Sequence, residues 1–87
     1  MQYFIYVLKS KSYNNFYIGS TQDIENRIRE HNSGRCRYTK GRIPWVLVYS
    51  EEFSTRSEAM KREKFLKGGK GREFLKGELN KVLNMER

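Results

Sequence analysis

A continuous apolar run close to the N-terminus, Tyr3–Leu8, constrains the fold more than any other part of this sequence. The run is rich in aromatic and β-branched residues, which favour a strand over a helix. Its apolar residues do not alternate with charged ones, and an unbroken apolar run of this length is typical of a strand covered on both faces. The sequence therefore predicts a buried strand with other elements packed on each side of it.

The segments that follow this run predict a hairpin, a helix and a third strand. Phe16–Gly19 returns to apolar character after a polar stretch, so the first two runs are expected to pair as a hairpin. Thr21 is the expected N-cap of a helix that ends near Asn32. Trp45–Tyr49 is rich in valine and aromatic residues and is interpreted as the third strand.

Two more helices are predicted in the C-terminal part of the chain. Thr55 and Glu58 have the spacing of a capping box, which starts a helix that runs to about Lys67. The glycine-rich segment Gly68–Gly71 is expected to break that helix. This segment is interpreted either as a flexible connection or as a set of backbone N–H groups for a phosphate. A third helix presents one apolar face, made of Phe74, Leu75, Leu79, Val82 and Leu83.

These elements together indicate a small α/β (α+β) fold. The expected order is β-β-α-β-α-α in a single domain over residues 1–87, with three helices flanking a three-stranded, mostly antiparallel sheet. The sequence also bears on the cellular setting of the protein. No apolar run approaches the ~20 residues that a membrane span needs, and Met1–Leu8 lacks the features of a signal peptide. Cys36 has no partner for an internal disulfide, and His31 alone beside it cannot complete a zinc site. A cytoplasmic protein that is monomeric and independent of membranes is the resulting expectation.

The charge of the chain points to a polyanionic partner. Lysine and arginine number 18 against 10 acidic residues, for a net charge of +8. Such a balance suits nucleic acid, although solubility alone is an alternative explanation. Basic residues concentrate in two stretches, His31–Ser50, which has no acid, and Lys61–Lys76. The candidate nucleic-acid contacts are Arg35, Arg37, Lys40, Arg42, Lys64, Lys67, Lys70 and Arg72.

The first predicted helix carries polar side chains where apolar ones are expected. Ile24 and Ile28 mark its inward stripe, and Arg27 and His31 share that stripe or its edge at helical spacing. Burying such groups without partners is costly, so they are expected to be paired, solvated in a cleft, or used in chemistry. A structural alternative for His31 is a favourable interaction with the C-terminus of its helix.

The second predicted helix repeats this pattern with a carboxylate. Glu63 lies on the same stripe as Ala59 and Leu66, so it too is expected to face the sheet. A structural ion pair between Glu63 and Arg27 is one interpretation, and a functional site is the other. In the second strand, Tyr17 and Gly19 share one face, and Gly19 is expected to leave space there for a ligand.

Two tripeptides, Phe4-Ile5-Tyr6 and Tyr17-Ile18-Gly19, resemble the paired signature of the GIY-YIG nuclease superfamily. Arg27, His31 and Glu63 stand at matching places, and the resemblance extends over nearly the whole chain. The chain looks most like the small stand-alone members, often described as predicted endonucleases. It departs from the superfamily at Phe4, where the signature has glycine, and at Ser20, where some relatives have a lysine that contacts phosphate.

The resemblance implies a metal-dependent endonuclease that hydrolyses phosphodiester bonds, with branched, flapped or single-stranded DNA as the preferred substrate. By the same resemblance Glu63 holds one Mg²⁺ or Mn²⁺ ion, Arg27 binds phosphate, and Tyr17 hydrogen-bonds the attacking water or a phosphate oxygen. Tyr6 acts as general base, with His31 orienting it or relaying its proton. A tyrosine of pKa about 10 is a weak acid, so cations have to favour the phenolate. A nucleic-acid-binding module without catalysis is the alternative.

Overall fold

The predicted apolar run forms the centre of a three-stranded antiparallel sheet. The computed structural model describes residues 2–13 and 15–85, with side chains as far as residue 79. The strands are β1 (Tyr3–Ser10), β2 (Phe16–Thr21) and β3 (Trp45–Phe53). Their order across the sheet is β2-β1-β3, and β1 pairs antiparallel with each neighbour. The hairpin, the third strand and the antiparallel sheet are therefore confirmed.

Three helices complete the fold in the predicted order. They are α1 (Ile24–Asn32), α2 (Arg56–Lys67) and α3 (Gly69–Met85). A short 3-10 helix, Lys40–Arg42, lies in the loop between α1 and β3. The order β-β-α-β-α-α in one small α/β (α+β) domain is confirmed. None of the helices in the described part of the chain has the length and apolar character to cross a membrane.

Both faces of β1 are covered, as the unbroken apolar run predicts. Ile5 and Val7 point to the face where α2 and α3 pack, against Ala59, Leu66, Leu75 and Leu79. Tyr6 and Leu8 point to the opposite face, with Trp45 and the partly buried Ile28 and Ile43. Successive side chains of a strand alternate between faces, so the sheet separates two clusters. We call them the Ile5 face and the Tyr6 face.

The N-cap of α1 differs from the prediction. Asp23 is the capping residue, and its carboxylate accepts a hydrogen bond from the Asn26 N–H at 3.1 Å. Thr21 is instead the last residue of β2, and its hydroxyl accepts the Asp23 N–H at 3.1 Å. The cap of α2 is as predicted, because Thr55 accepts the Glu58 N–H at 3.2 Å.

The glycine-rich segment is mostly helical rather than a loop. Only Gly68 separates α2 from α3, which begins at Gly69. A β-carbon on Gly71 would lie 2.0 Å from the Phe65 carbonyl oxygen and 2.4 Å from the Leu66 Cα atom. Gly71 therefore allows the two helices to cross at close contact, and the expected flexible connection is wrong. Leu75 and Leu79 are buried as predicted, whereas the side chains of Val82 and Leu83 lie outside the described residues.

Candidate active site

The hydroxyl of Tyr6 is the centre of a buried hydrogen-bond cluster on the Tyr6 face. It lies 3.0 Å from His31 Nε2 and 3.3 Å from Arg27 Nε, and both partners come from α1. Tyr6 and His31 are each only 1% exposed. The sequence prediction that Arg27 and His31 face inward is confirmed, because the helical spacing brings both to one tyrosine on the central strand.

Gly19 makes this arrangement possible. It is the cross-strand partner of Tyr6, and a β-carbon at position 19 would lie 2.6 Å from the Tyr6 hydroxyl oxygen. The Tyr6 ring therefore occupies the space above Gly19 on its way to α1. The expectation that Gly19 leaves room for a ligand is wrong, since the hydroxyl of Tyr6 fills that room.

The donors and acceptors give the cluster a direction. The Arg27 Nε–H group can only donate, so the Tyr6 oxygen accepts from it. In the His31 tautomer that carries its proton on Nδ1, the Tyr6 hydroxyl donates to His31 Nε2. A neutral imidazole that accepts at Nε2 carries its proton on Nδ1, and this proton points to Thr39 Oγ1 at 2.9 Å. The Thr39 hydroxyl donates onward to the Cys36 carbonyl oxygen at 3.5 Å. The result is one continuous donor chain from Arg27 through Tyr6 and His31 to Thr39.

Burial sets the protonation states in this chain. Desolvation raises the pKa of Tyr6 to about 12, and the hydrogen bond from Arg27 offsets only part of that rise. Desolvation also lowers the pKa of His31, and the neighbouring Arg27 cation lowers it further. The pKa of Arg27 is raised, chiefly by its hydrogen bond to Tyr6. At neutral pH the cluster therefore holds a neutral phenol, a neutral imidazole and a guanidinium cation.

Arg27 is held from a second side by an acid that the sequence analysis did not single out. Its Nη1 group forms a 2.9 Å ion pair with Glu30, one helical turn further along α1. This pair replaces the ion pair between Arg27 and Glu63 that the sequence left open. Both side chains are about one-third exposed, at 35% and 37%, so the guanidinium is open to solvent while its Nε remains fixed on Tyr6.

Tyr17 closes the cluster with its ring rather than its hydroxyl. The ring centroid lies 4.7 Å from that of His31 and 6.2 Å from that of Tyr6. Within the described residues the Tyr17 hydroxyl has no hydrogen-bond partner, and the side chain is half-buried. Tyr17 thus holds the imidazole in place and leaves its hydroxyl available to a ligand.

Glu63 does not join this cluster. It lies on α2, whose Ala59 and Leu66 belong to the core of the Ile5 face, and its carboxylate forms a 2.8 Å ion pair with Lys67. Glu63 therefore belongs to the helix that covers the Ile5 face, whereas Arg27 and His31 contact Tyr6 on the opposite face. The side chain is 23% exposed, which agrees with the prediction that Glu63 faces the sheet.

The edge of the sheet links the two faces. β2 is an edge strand, and Ala59, one turn before Glu63, lines a pocket of about 300 Å³ with Ser20 and Thr21. Those two residues directly follow Gly19, which lies against Tyr6. The pocket therefore lies between α2 and the end of β2 that follows Gly19.

The eight predicted basic contacts are all exposed but form two groups. Arg35, Arg37, Lys40 and Arg42 lie in the loop after α1, which we call the basic loop, residues 35–42. This loop contributes Thr39 to the cluster on the Tyr6 face. The second group lies on α2 and α3, against the Ile5 face, and consists of Lys64, Lys67, Lys70 and Arg72. The structure brings only the first group to the tyrosine cluster.

Thr39 is the most important residue that the sequence reasoning missed. It is fully buried, and its carbonyl accepts the Trp45 indole N–H at 2.9 Å while its hydroxyl meets His31. The stretch around Thr39 has no apolar periodicity, so the sequence gives little indication that this residue is buried. Its small polar side chain is the only available signal.

Comparison with known proteins places the chain in a family. Residues 2–77 match the family model described as the GIY-YIG catalytic domain. The chain is 49% identical over 63 residues to UPF0213 protein SH2523 of Staphylococcus haemolyticus, which covers 71% of this chain and 76% of that protein. It is 44% identical over 66 residues to UPF0213 protein HQ_3675A of Haloquadratum walsbyi, covering 75% and 73%.

A solved structure agrees with this assignment. The solution NMR structure of the UPF0213 protein BH0048 from Bacillus halodurans is 35% identical, with a TM-score of 0.54, over 88% of this chain and 84% of that one. The chain therefore belongs to the GIY-YIG family. Its relatives within that family are the small, stand-alone UPF0213 proteins, so the resemblance seen in the tripeptides is confirmed.

Replacing Gly19 by alanine is expected to disrupt the cluster. The new β-carbon would meet the Tyr6 hydroxyl oxygen at 2.6 Å and Cζ at 2.8 Å, so the ring has to shift away from Arg27 and His31. Overpacking of this kind costs about 1–3 kcal/mol, and we expect thermal unfolding to show a clear drop in Tm. Gly41→Ala is the matched control, because nothing lies within 4 Å of its β-carbon. Equal Tm values for the two variants would contradict the packing described for Tyr6.

The protonation of His31 is expected to make stability depend on pH. Its pKa is lowered in the folded protein from an ordinary value of 6.5. Below that value the unfolded chain takes up a proton that the folded protein refuses. The stability that neutral His31 contributes is thus present above about pH 6.5 and is lost as the pH falls toward the folded pKa. We expect the Tm of the wild type to fall faster than that of His31→Asn between about pH 7 and pH 5. Parallel Tm curves would contradict a buried neutral imidazole.

Proposed function

We propose that this protein is a metal-dependent endonuclease that hydrolyses phosphodiester bonds of nucleic acid, with DNA as the preferred substrate. The observation that carries the proposal is the donor chain from Arg27 through Tyr6 to His31, in a chain of the GIY-YIG family. Branched, flapped or single-stranded DNA is the proposed substrate form. The proposed setting is the cytoplasm, with residues 1–87 acting as one nuclease domain.

The proton chemistry that fits this cluster is a relay through a neutral tyrosine. With a pKa raised to about 12, Tyr6 does not exist as a phenolate at neutral pH, so the expected phenolate base is not supported. The hydroxyl instead passes its proton to His31 Nε2 as its oxygen takes the proton of the attacking water. The water oxygen bonds to phosphorus, the bond from phosphorus to the leaving oxygen breaks, and solvent protonates that oxygen. His31 carries the extra proton until it returns to solvent.

Arg27 is the proposed phosphate ligand. Its Nε donates to Tyr6 and its Nη1 pairs with Glu30, so Nη2 remains for a phosphate oxygen. A guanidinium fixed in this way adds a positive charge beside the phosphate that gains negative charge in the transition state. Tyr17, whose ring packs beside His31 and whose hydroxyl has no hydrogen-bond partner among the described residues, is proposed to hydrogen-bond the water or a second phosphate oxygen.

Glu63 fits a divalent ion only in part. The described residues contain no group of three or more histidine, cysteine, aspartate or glutamate side chains that could hold a metal. Mg²⁺, however, is often bound by one or two carboxylates, with water and substrate phosphate completing the shell. We propose that Glu63 would hold one Mg²⁺ or Mn²⁺ ion in place of its pair with Lys67. A bound ion supplies charge stabilisation of the phosphate.

The basic loop is the proposed main contact for the nucleic acid. Its four cations, Arg35, Arg37, Lys40 and Arg42, are exposed around the Tyr6 face, and no acidic residue occurs between His31 and Ser50. The basic group on α2 and α3 lies on the other side of the sheet. It is proposed to contact only the part of a longer substrate that passes around the edge of β2.

Affinity for DNA is expected to fall steeply with salt. Four phosphate contacts from the basic loop predict a slope of log K against log salt of about −3 to −4. Substituting glutamine for both Arg35 and Arg37 should remove about two of these phosphate contacts and make the slope correspondingly less steep. The same change at Lys64 and Lys70 is the matched control and should have a smaller effect. Binding that does not respond to salt would contradict a nucleic-acid partner.

A substrate panel tests the proposed activity. Labelled single-stranded, duplex, flapped and branched DNA, with an RNA strand for comparison, is incubated with the protein in Mg²⁺, Mn²⁺ or EDTA. Cleavage is expected with metal only, and it should be lost in Arg27→Ala but retained in Arg29→Ala. Loss of cleavage in Arg27→Ala excludes a contaminating nuclease. Arg29 is an exposed arginine on the same helix, so Arg29→Ala controls for the general loss of one cation. Binding to the panel without any cleavage would favour the alternative, a nucleic-acid-binding module.

A further inference from the structure

Tyr38 is an aromatic side chain in the basic loop that packing does not explain. Its side chain is 83% exposed, the highest value among the large hydrophobic residues that lie on the surface of the described part of the chain. Its ring centroid nevertheless lies 6.4 Å from that of Tyr17. Of the four rings that Tyr17 contacts in the described part of the chain, Tyr6, His31 and Trp45 are buried, and Tyr38 alone is exposed.

The backbone around Tyr38 is fixed, so its ring has a defined place. The next residue, Thr39, is fully buried, and its N–H donates to the Cys36 carbonyl at 3.2 Å. The N–H of Lys40 donates to the same carbonyl at 3.0 Å, and the Trp45 indole N–H holds the Thr39 carbonyl. These bonds close a turn around Tyr38 and direct it outward beside the catalytic cluster.

We propose that Tyr38 is a stacking platform for an unpaired base of the nucleic-acid strand whose phosphate lies at Tyr6. The proposal rests on the proposed function and names its substrate class, a strand with at least one unpaired nucleotide next to the cleavage position. Aromatic side chains stack on any base, because each base has a π-face. In a duplex both faces of a base are covered by its neighbours, so only an unstacked base can occupy this platform.

The charges around Tyr38 suit the same ligand. Arg37 precedes it and Lys40 follows two residues later, both exposed, so cations for the phosphates flank the ring that takes the base. This combination of a stacking ring with neighbouring cations is the common arrangement in proteins that bind single strands. Tyr13, the other strongly exposed tyrosine among the described residues, differs because the Arg42 guanidinium lies 5.9 Å from its ring centroid.

Binding in EDTA tests the proposal without requiring cleavage. The dissociation constant is measured for a labelled thymidine oligonucleotide and for a blunt duplex of two fully paired strands, using wild type, Tyr38→Ala, Tyr38→Phe and Tyr13→Ala. For Tyr38→Ala we expect about a tenfold higher Kd for the single strand, because stacking on one base carries an effect of this order. The Kd for the duplex should change less than about twofold, since the variant removes no charge.

The control variants complete the test. Tyr38→Phe keeps the ring and should bind both ligands like the wild type, and Tyr13→Ala should do the same. The proposal is overturned if Tyr38→Ala weakens duplex and single strand alike, or weakens neither. A wild type that cleaves nothing while Tyr38→Ala still loses affinity for the single strand refutes the nuclease and supports the platform. Cleavage by the wild type with unchanged binding in Tyr38→Ala refutes the platform and supports the nuclease.

Discussion

Tyr6→Phe is expected to lower metal-dependent cleavage by about 10³-fold, because it removes the one hydroxyl that joins water to His31 in the relay. The variant also leaves Arg27 Nε and His31 Nε2 without their partner. Loss of partners for buried polar groups costs about 1–3 kcal/mol, so a modest fall in Tm accompanies the loss of activity. Single-turnover cleavage, Tm and DNA affinity in EDTA are measured on the same preparation.

Tyr3→Phe is the matched control for this variant. Tyr3 lies on the same strand but packs against the Ile5 face, so the loss of its hydroxyl should leave cleavage within about twofold, a difference under half a kcal/mol in barrier height. Cleavage at the wild-type rate by Tyr6→Phe would remove the tyrosine from the mechanism. An equal loss in both variants would point to a general effect on β1 rather than to chemistry.

The second large effect is expected at Glu63. Glu63→Gln keeps the shape of the side chain and removes the charge that is proposed to hold the ion, so cleavage should fall by ~100-fold or more. DNA affinity in EDTA should be unchanged or tighter, because one negative charge near the phosphates is gone. The Tm should change little, since the partner Lys67 is about half-exposed and i,i+4 pairs on helix surfaces contribute about 0.3–0.5 kcal/mol.

These three readouts separate catalysis from structure at Glu63. Because Arg27 pairs with Glu30, neutralising Glu63 does not strand a guanidinium, and a large fall in Tm is not expected. Glu73→Gln is the matched control, an exposed carboxylate on α3 that should leave all three measurements unchanged. Unchanged cleavage in Glu63→Gln would exclude Glu63 as the metal ligand.

Local signals in the sequence predict most of the fold. The unbroken run Tyr3–Leu8 predicts a strand buried on both faces because apolar side chains on each pleat require a cover. The capping box at Thr55 predicts the start of α2 because its hydroxyl satisfies a free backbone N–H group. Thr21 shows the limit of such signals. Thr21 and Asp23 are both favourable N-cap residues. Because Thr21 pairs with β1 as the last residue of β2, Asp23 becomes the N-cap of α1.

Only the part of the candidate site that lies on α1 is predictable from the sequence. Helical spacing places Arg27 and His31 on one face, and the structure brings both to Tyr6. The same spacing places Glu63 toward the sheet but does not say toward which side of it. Tertiary packing decides that α2 covers the Ile5 face. The spacing of a single helix holds no information on that choice.

The protonation of Tyr6 also lies beyond the sequence. If only the charges of Arg27 and of a bound metal ion are considered, the Tyr6 phenolate is expected to be stabilised. Its burial outweighs the cation and raises the pKa to about 12, and burial depends on how Gly19 and α1 enclose the ring. The proposed mechanism changes as a result, from a charged base to a relay through a neutral hydroxyl.

The central claim is that Tyr6 and His31 act as one proton-transfer unit in a nuclease, and a double-mutant cycle tests it most directly. Single-turnover cleavage of DNA in Mg²⁺ is measured for wild type, Tyr6→Phe, His31→Asn and the double variant. When two residues act as a unit, removing either one abolishes the contribution of both to the rate. The double variant should therefore cleave no more than about threefold slower than the slower single variant. Losses that multiply in the double variant, or a wild type without Mg²⁺-dependent cleavage, would contradict the claim.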